Sequence, residues 1–463
     1  MFIFLLVYIV SFIVSFREVL KGNRAGALIF IIFGLSMYTT AMSVAFLLGL
    51  SAIIPALQPF KEILIITTFV LNIVNLKHRP RFHLIDYLIL AFLSYLIIYT
   101  ILPIGEQNFL SRLMALRTSS FYIVVYFTGR FIDPKTIPVN KYFNYFLLLT
   151  IAAAVVLLTE VLMGRQLQTA TGYADYLYYF FNSEPTGAFG LSTTFETENE
   201  YMRFASFFSN PLEHAVATLI ALAMIAGLYT RDDNRFNINS IGLLALGATV
   251  LSIIFAFSRS PLASYLIMIY VYAAITKRKT VLNIIHVCLG IVAIYLTYVF
   301  VRFENNNGGI LEIVINTIDF SNPSSVGHLE QWVEGIASII NHPFGIGLGS
   351  SGIVGANTGE NVGGENQFII FGVQAGIIAL TLYLCVFVMF IKTSLKWLPL
   401  LKGKEKKICM TVLLMKIGLI IPLLTSEAES STYISYINWF LSGILINIIM
   451  QPRAAEIKVA HDN

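Results

Sequence analysis

Apolar runs of about 20 residues follow one another along this chain, separated mostly by short loops that carry its lysines and arginines. In water such a chain has no surface to offer. In a bilayer each run can close its own backbone hydrogen bonds as a helix, which is the main option lipid allows. Apolar residues make up 57% of the 463 and charged residues only 12%, half the share usual in soluble domains; mean hydropathy is +0.77. The expected fold class is therefore an all-α polytopic membrane protein. A net charge of +4 dispersed over short loops excludes a nucleic-acid-binding surface as the organising feature. The three cysteines, Cys288, Cys385 and Cys409, fall in or beside apolar runs, and an odd number argues against a disulfide framework. The opening MFIFLLVYIVSFIVSF has neither a charged leader nor a small-residue cleavage site and reads as a retained span.

Apolar runs place spans near 2–16, 26–44, 59–76, 84–102, 118–132, 142–163, 211–229, 239–257, 261–275, 281–300, 366–391, 409–425 and 432–449, about 12–14 helices in all. With the C-terminus in the cytoplasm, alternation puts the N-terminus outside. On that orientation 22 of the 30 lysines and arginines lie in inner loops and only Lys61, Arg112, Arg117, Arg165, Arg203, Arg259 and Arg302 lie outside, while Lys416 falls within a span. The chain then divides into an N-terminal bundle of about six spans (1–163), a first long outer loop (164–210), central spans (211–300), a second long outer loop (301–365), and C-terminal spans with a cytoplasmic tail (366–463).

The second loop holds the most informative segment, EQWVEGIASIINHPFGIGLG, Glu330 to Gly349. Pro323 to Asn341 reads as an amphipathic helix, capped by Asn322 or Ser324, with Leu329, Val333, Ile336 and Ile340 at helical spacing to bury one face. The alternating Gly345, Gly347 and Gly349 that follow belong outside the hydrocarbon, because irregular backbone at membrane depth leaves amides unpaired. His342 before Pro343 reads as a turn residue.

Six side chains in these outer segments are the candidates for chemistry. Arg203, in MRFASFFSNP, and Arg259, in FSRSP, stand on the outer side against the charge trend. A planar, permanently charged fork suits phosphate oxygens, so the pair reads as a phosphate or pyrophosphate clamp; the plain alternative is snorkelling or an ion pair with a loop carboxylate. His328 and Trp332, four apart, share a helix face that a sugar could meet, and a histidine carries protons near neutral pH. Glu365 and Asn366 stand where the next span starts. Glu365 is either a general base or a charge welcomed by the helix N-terminus. Lys416 within a span would pair or snorkel, or mark a transport path. There is no zinc spacing, P-loop, nucleophile elbow or outer DxD pair, and the adjacent Asp232 and Asp233 read as solvated and cytoplasmic.

Taken in order, Arg203 with FFSNP, Ser258-Arg259-Ser260, HLEQW, NHPFGIGLG and ENQFIIFGVQAGI resemble the O-antigen polymerase and O-antigen ligase superfamily of bacterial envelope glycan assembly. The resemblance covers roughly residues 200–390. It implies a many-span glycosyltransferase with a large periplasmic loop between late spans, acting at the outer face of the cytoplasmic membrane. The implied donor is an undecaprenyl-pyrophosphate-linked glycan whose pyrophosphate is held by Arg203 and Arg259, with neither metal, nucleotide sugar nor other cofactor. Ligases of this superfamily usually carry a histidine–asparagine pair where this chain has Glu365-Asn366, which moves the expectation toward a repeat-unit polymerase for lipopolysaccharide, capsule or another cell-envelope polysaccharide. The base is then Glu365 or His328, unless His328 is a further phosphate contact, with Trp332 and Asn366 as glycan contacts. A flippase and a chain-length regulator are the candidate protein partners. The alternatives are a ligase that hands glycan from the lipid carrier to another acceptor, and a transporter of lipid-linked oligosaccharide or another cargo.

Overall fold

Each apolar run folds as helix in the computed structural model, which describes residues 1–76, 80–197, 201–302, 323–359 and 361–451. Helix accounts for 78% of the structure, and the described residues contain no strand. In chain order the elements are α1 (Phe2–Leu20), α2 (Arg24–Gly34), α3 (Tyr38–Leu47), α4 (Ser51–Val74), α5 (Leu84–Ile101), α6 (Phe109–Arg130), α7 (Val139–Met163), α8 (Tyr173–Phe181), α9 (Pro211–Tyr229), α10 (Ser240–Phe255), α11 (Arg259–Ile275), α12 (Lys279–Arg302), α13 (Pro323–Asn341), α14 (Gly352–Thr358), α15 (Gln367–Trp397), α16 (Gly403–Thr425) and α17 (Thr432–Met450).

Polar caps mark where the apolar runs begin. Asn108, Asn210, Asn239, Asn366 and Ser431 each accept a backbone N–H in the first turn of the helix that follows. Such caps are worth about 1 kcal/mol each and set where a helix starts more sharply than hydrophobicity does. Eight helices among the described residues are long and apolar enough to cross a membrane, or nine if the bent pair α2–α3 counts as one span. The bend there is 59°. The larger number read from sequence adds α6 and three shorter apolar helices, Ser240–Phe255, Arg259–Ile275 and Lys279–Tyr295. Burial identifies the centre of the bundle: in α9, α16 and α17 most residues are enclosed by protein (83%, 78% and 89%), whereas only 28% are in α1 and α4.

The loops separate into two ends. At one end Lys404 Nζ donates to the carbonyls of Pro134 and Lys135, Lys406 Nζ to Asp232 O and Asn234 Oδ1, Lys407 Nζ to Asn140 Oδ1, and Arg130 to Arg81 O. These are the lysine- and arginine-rich loops that the charge count places together. Arg130 also meets the fully buried Asp86 at 3.2 Å there, with the Tyr126 hydroxyl donating to the same carboxylate. At the opposite end lie Arg203, Arg259 and the 350–366 segment.

Two expectations about the second long loop change. α13 spans Pro323–Asn341 as its spacing implies, but Leu329, Val333, Ile336 and Ile340 are exposed, from 42% to 71%. The helix docks through another face, where Gly335 lets the backbone of Gly363 and the side chain of Ile369 come close, and Ile339 packs beside Gly372. Small residues permit that approach; the larger apolar ones are left on the outside. The glycine segment, for its part, is enclosed by protein. Gly347, Leu348, Gly349 and Ser350 are buried, and the segment runs along an interruption in α15 at Ala375 and Gly376. Ile346 N–H donates to Val373 O at 2.8 Å, Gly347 N–H to Gln374 O at 3.1 Å, and Ile377 N–H to Pro343 O at 2.9 Å. Its amides are thus paired by the backbone that the break in α15 frees, so the premise that irregular backbone there must go unpaired does not hold. Of the two caps proposed for α13, Asn322 lies outside the described residues.

Candidate functional site

The two arginines reach one turn from separate parts of the chain. The segment before α9 is held by Glu160, at the end of α7, whose carboxylate accepts the N–H groups of Leu167 (2.7 Å) and Ser206 (2.9 Å). Gln168 Nε2 donates to the carbonyls of Ser206 and Phe208. Arg203 N–H then bonds Phe195 O at 2.8 Å, and the next residue, Phe204, donates its N–H to Phe255 O at 3.3 Å. This fixes Arg203 against the junction of α10 and α11, where its Nε donates to Ala256 O at 3.1 Å. Arg259 opens α11 three residues further on, and its side chain is exposed. Ala256 to Ser258 make the tight turn between the two helices, with Phe257 in the left-handed region at φ 45°.

The electrostatics of that turn follow from the convergence. Burial, and then the positive charge of Arg259, push the Arg203 guanidinium down to about 10. It remains charged at neutral pH. Among the described residues its guanidinium has no carboxylate partner; its anchor is a neutral carbonyl, through Nε. The turn therefore gathers two guanidiniums, and a diphosphate offers oxygens in the geometry a guanidinium matches.

The second part of the site is built by α13 and the residues preceding α15. His328 Nδ1 contacts Glu365 Oε2, and both side chains are part-exposed, at 33% and 41%. Because Nδ1 faces the carboxylate, Nε2 is the ring nitrogen left for another partner. Trp332 lies one turn along the helix, half-buried. Asn366 is buried, and its Oδ1 caps α15 by accepting from Phe368 (3.0 Å) and Ile369 (3.2 Å). The capping role is explicit; of the Asn366 side chain, only the amide nitrogen is left to meet a sugar.

The structure adds a residue that the sequence reading passed over. Glu427 lies between α16 and α17, where it accepts the Ile353 N–H at 2.8 Å and borders Gly352. The residue as a whole is half-buried, and burial of its carboxyl pushes it up to about 7, against the opposing pull of the Ile353 N–H. Two residues earlier, Thr425 Oγ1 donates to Ser260 Oγ at 2.8 Å. In the other direction Ser351 Oγ donates to Val362 O at 2.6 Å, and Gln374 Nε2 to Ser351 O at 2.7 Å. A continuous set of contacts therefore runs from the arginine turn through Thr425 and Glu427 to the 350–366 segment that carries Glu365. In sequence, Glu427 was one of two acids in SEAES with nothing to separate it from Glu429.

The remaining candidates lie apart from this surface. His342 forms the turn after α13, accepting the Gly345 N–H at 2.7 Å. Lys416 is fully buried inside the bundle. Among the described residues no group of three or more histidine, cysteine, aspartate or glutamate side chains is arranged to hold a metal ion. No protein-family model and no curated protein sequence matches this chain. Fold and apolar surface together define an all-α, multi-pass membrane protein whose paired arginines and carboxylate–imidazole contact lie at one end of the bundle.

Proposed function

We propose that this protein is a membrane-embedded glycosyltransferase. It polymerises polysaccharide repeat units carried on undecaprenyl pyrophosphate, at the outer face of a bacterial cytoplasmic membrane. The observation that carries this reading is the meeting of Arg203 and Arg259 at one turn, at the end of the bundle opposite the lysine-rich loops. By the positive-inside trend the lysine-rich end is cytoplasmic, so the arginines face outward.

In the reaction an acceptor sugar hydroxyl attacks the anomeric carbon of the donor glycan. The new C–O bond forms as the bond to the pyrophosphate oxygen breaks, and the leaving group departs with the electron pair. Preorganised guanidiniums at Arg203 and Arg259 stabilise that growing negative charge. The hydroxyl proton passes to the His328–Glu365 pair. With Nδ1 close to the Glu365 carboxylate, Nε2 is the nitrogen that takes the proton, and the neighbouring negative charge favours the imidazolium that forms, so the two act as one base. Lys416, the residue on which the transport reading rested, is fully buried beside the rings of Phe390 and Trp439.

Purified protein in proteoliposomes with lipid-linked repeat units tests the proposal. A ladder of lengthening lipid-linked products is expected. Transfer only to a non-prenyl acceptor would identify a ligase, and no transfer to either would remove the glycosyltransferase reading.

A further inference from the structure

The turn between α16 and α17 has two arms that reach the candidate site and one that points into the bundle. Thr425 holds Ser260 beside the arginine turn, and Glu427 holds the Ile353 N–H. Glu429, two residues on and only 4% exposed, faces inward. Its Oε1 accepts Asn438 Nδ2 and Trp439 Nε1, both at 2.8 Å, and its Oε2 accepts the Tyr383 hydroxyl at 2.6 Å. Lys416, on the middle of α16, brings a basic side chain to the ring of the same tryptophan without touching the carboxylate directly. It is fully buried, its Nζ has no hydrogen-bond partner among the described residues, and it lies 4.5 Å from the Trp439 ring and 4.7 Å from Phe390. Trp439 therefore links the pair, donating to Glu429 through its indole N–H and facing Lys416 with its ring.

Such a pair inside a bundle is costly, and an apolar pair would often do as well for stability alone. Where it lies is informative. Pro422 removes a backbone donor in the last turn of α16, so helix continuity alone does not set the course of the turn. The inward carboxylate, bonded to Asn438, Trp439 and Tyr383, is one of the anchors of that turn. We propose that Lys416 and Glu429 are positioning residues: two buried opposite charges bridged by the Trp439 indole, which fix the α16–α17 turn, and through Thr425 and Glu427 the arginine turn and the glycine-rich segment. The consequence for turnover rests on the glycosyltransferase reading; the consequence for the turn does not.

The test uses the full chain in nanodiscs, with Cys288 and Cys385 replaced by serine and Ser430→Cys placed in the turn as a reporter. Buried Cys409, near the other end of α16, reports on the bundle as a whole. Lys416→Met and Glu429→Gln should each raise the maleimide labelling rate at position 430 by about tenfold or more while Cys409 stays silent, because each leaves one buried charge uncompensated. The double variant Lys416→Met/Glu429→Gln should return labelling to within about twofold of the parent. Glycosyl transfer should follow the same order, with kcat lost in the single variants and recovered in the double. Unchanged labelling at 430 in the single variants, or a double variant no better than either, overturns the proposal. So does labelling of Cys409 in step with 430, which would show general destabilisation. If a single variant yields no folded protein, recovery in the double supports the pair and failure of the double contradicts it. Labelling as expected from a protein with no transferase activity would keep the positioning pair and reject the glycosyltransferase reading.

Discussion

Glu427 shows what the fold does to single side chains. A glutamate in a short polar stretch ordinarily titrates near 4.5; here burial carries it to about 7. An acid whose folded value is raised contributes stability that is complete below its unfolded value and is lost as pH rises through the folded one. The grip of Glu427 on the 350–358 segment should therefore be firmer at pH 6 than at pH 8. Amide exchange at Ile353 and its neighbours, corrected for intrinsic rate, should show a transition near pH 7 that Glu427→Gln abolishes; a profile flat in both proteins would contradict this. His328 and Glu365 make a second residue-scale prediction. If they act as one base, Glu365→Gln and His328→Ala should each lower turnover by at least about 10²-fold. The double variant should then be no worse than the poorer single one, as for groups that act as a unit. Independent, multiplying losses would separate their roles. Arg203, Arg259, His328 and Glu365 were all legible in the sequence, because charge on the outer side and at a helix start is conspicuous in so apolar a chain. Glu427 was not, since only the fold distinguishes it from Glu429, which faces the opposite way.

At the scale of elements, the sequence announced the helices, but the buried face read for α13 is the exposed one. The period of α13 was evident from Leu329, Val333, Ile336 and Ile340, and its bounds match. Periodicity assumes that the apolar stripe packs inward, which holds in water. Beside a membrane the protein-facing side is decided instead by close approach, here at Gly335 and Gly363. The break in α15 was hidden for a similar reason. Gly376 lies in an apolar run where a helical glycine would be unremarked, yet it adopts φ 77° and ψ −176°, and any Cβ there would strike the Pro343 carbonyl. Gly376→Ala should cost about 1–3 kcal/mol from backbone strain alone. It should also loosen the glycine-rich segment, read as a lower thermal midpoint together with faster exchange at Ile346 and Gly347. An unchanged midpoint and unchanged exchange would mean that the break does not hold the segment.

For the whole molecule, the distribution of basic residues already separated the loops into two sets, and among the described residues the loops around Arg81, Lys135, Asp232 and Lys404 meet at one end. Sidedness is then a single choice. With Glu184→Cys in the first long loop and Asp233→Cys between α9 and α10, an impermeant thiol reagent applied to intact cells should label the former alone; the reverse pattern would invert the orientation. The sequence reading already paired Arg203 and Arg259, 56 positions apart, from their outer placement and the phosphate geometry of arginine; what it did not display is the route, the 164–210 segment folding back through Glu160 and Gln168 onto the α10–α11 turn. That convergence is the centre of the account, and binding of a polyprenyl pyrophosphate to the reconstituted protein tests it most directly. Arg203→Lys and Arg259→Lys keep the charge and lose the fork. Each should weaken pyrophosphate binding by about 10–100-fold, as expected for a lost charged hydrogen bond. The double variant should lose less than the two effects multiplied, since both side chains grip one group. Full affinity in both single variants, or losses that multiply independently, would contradict a shared clamp.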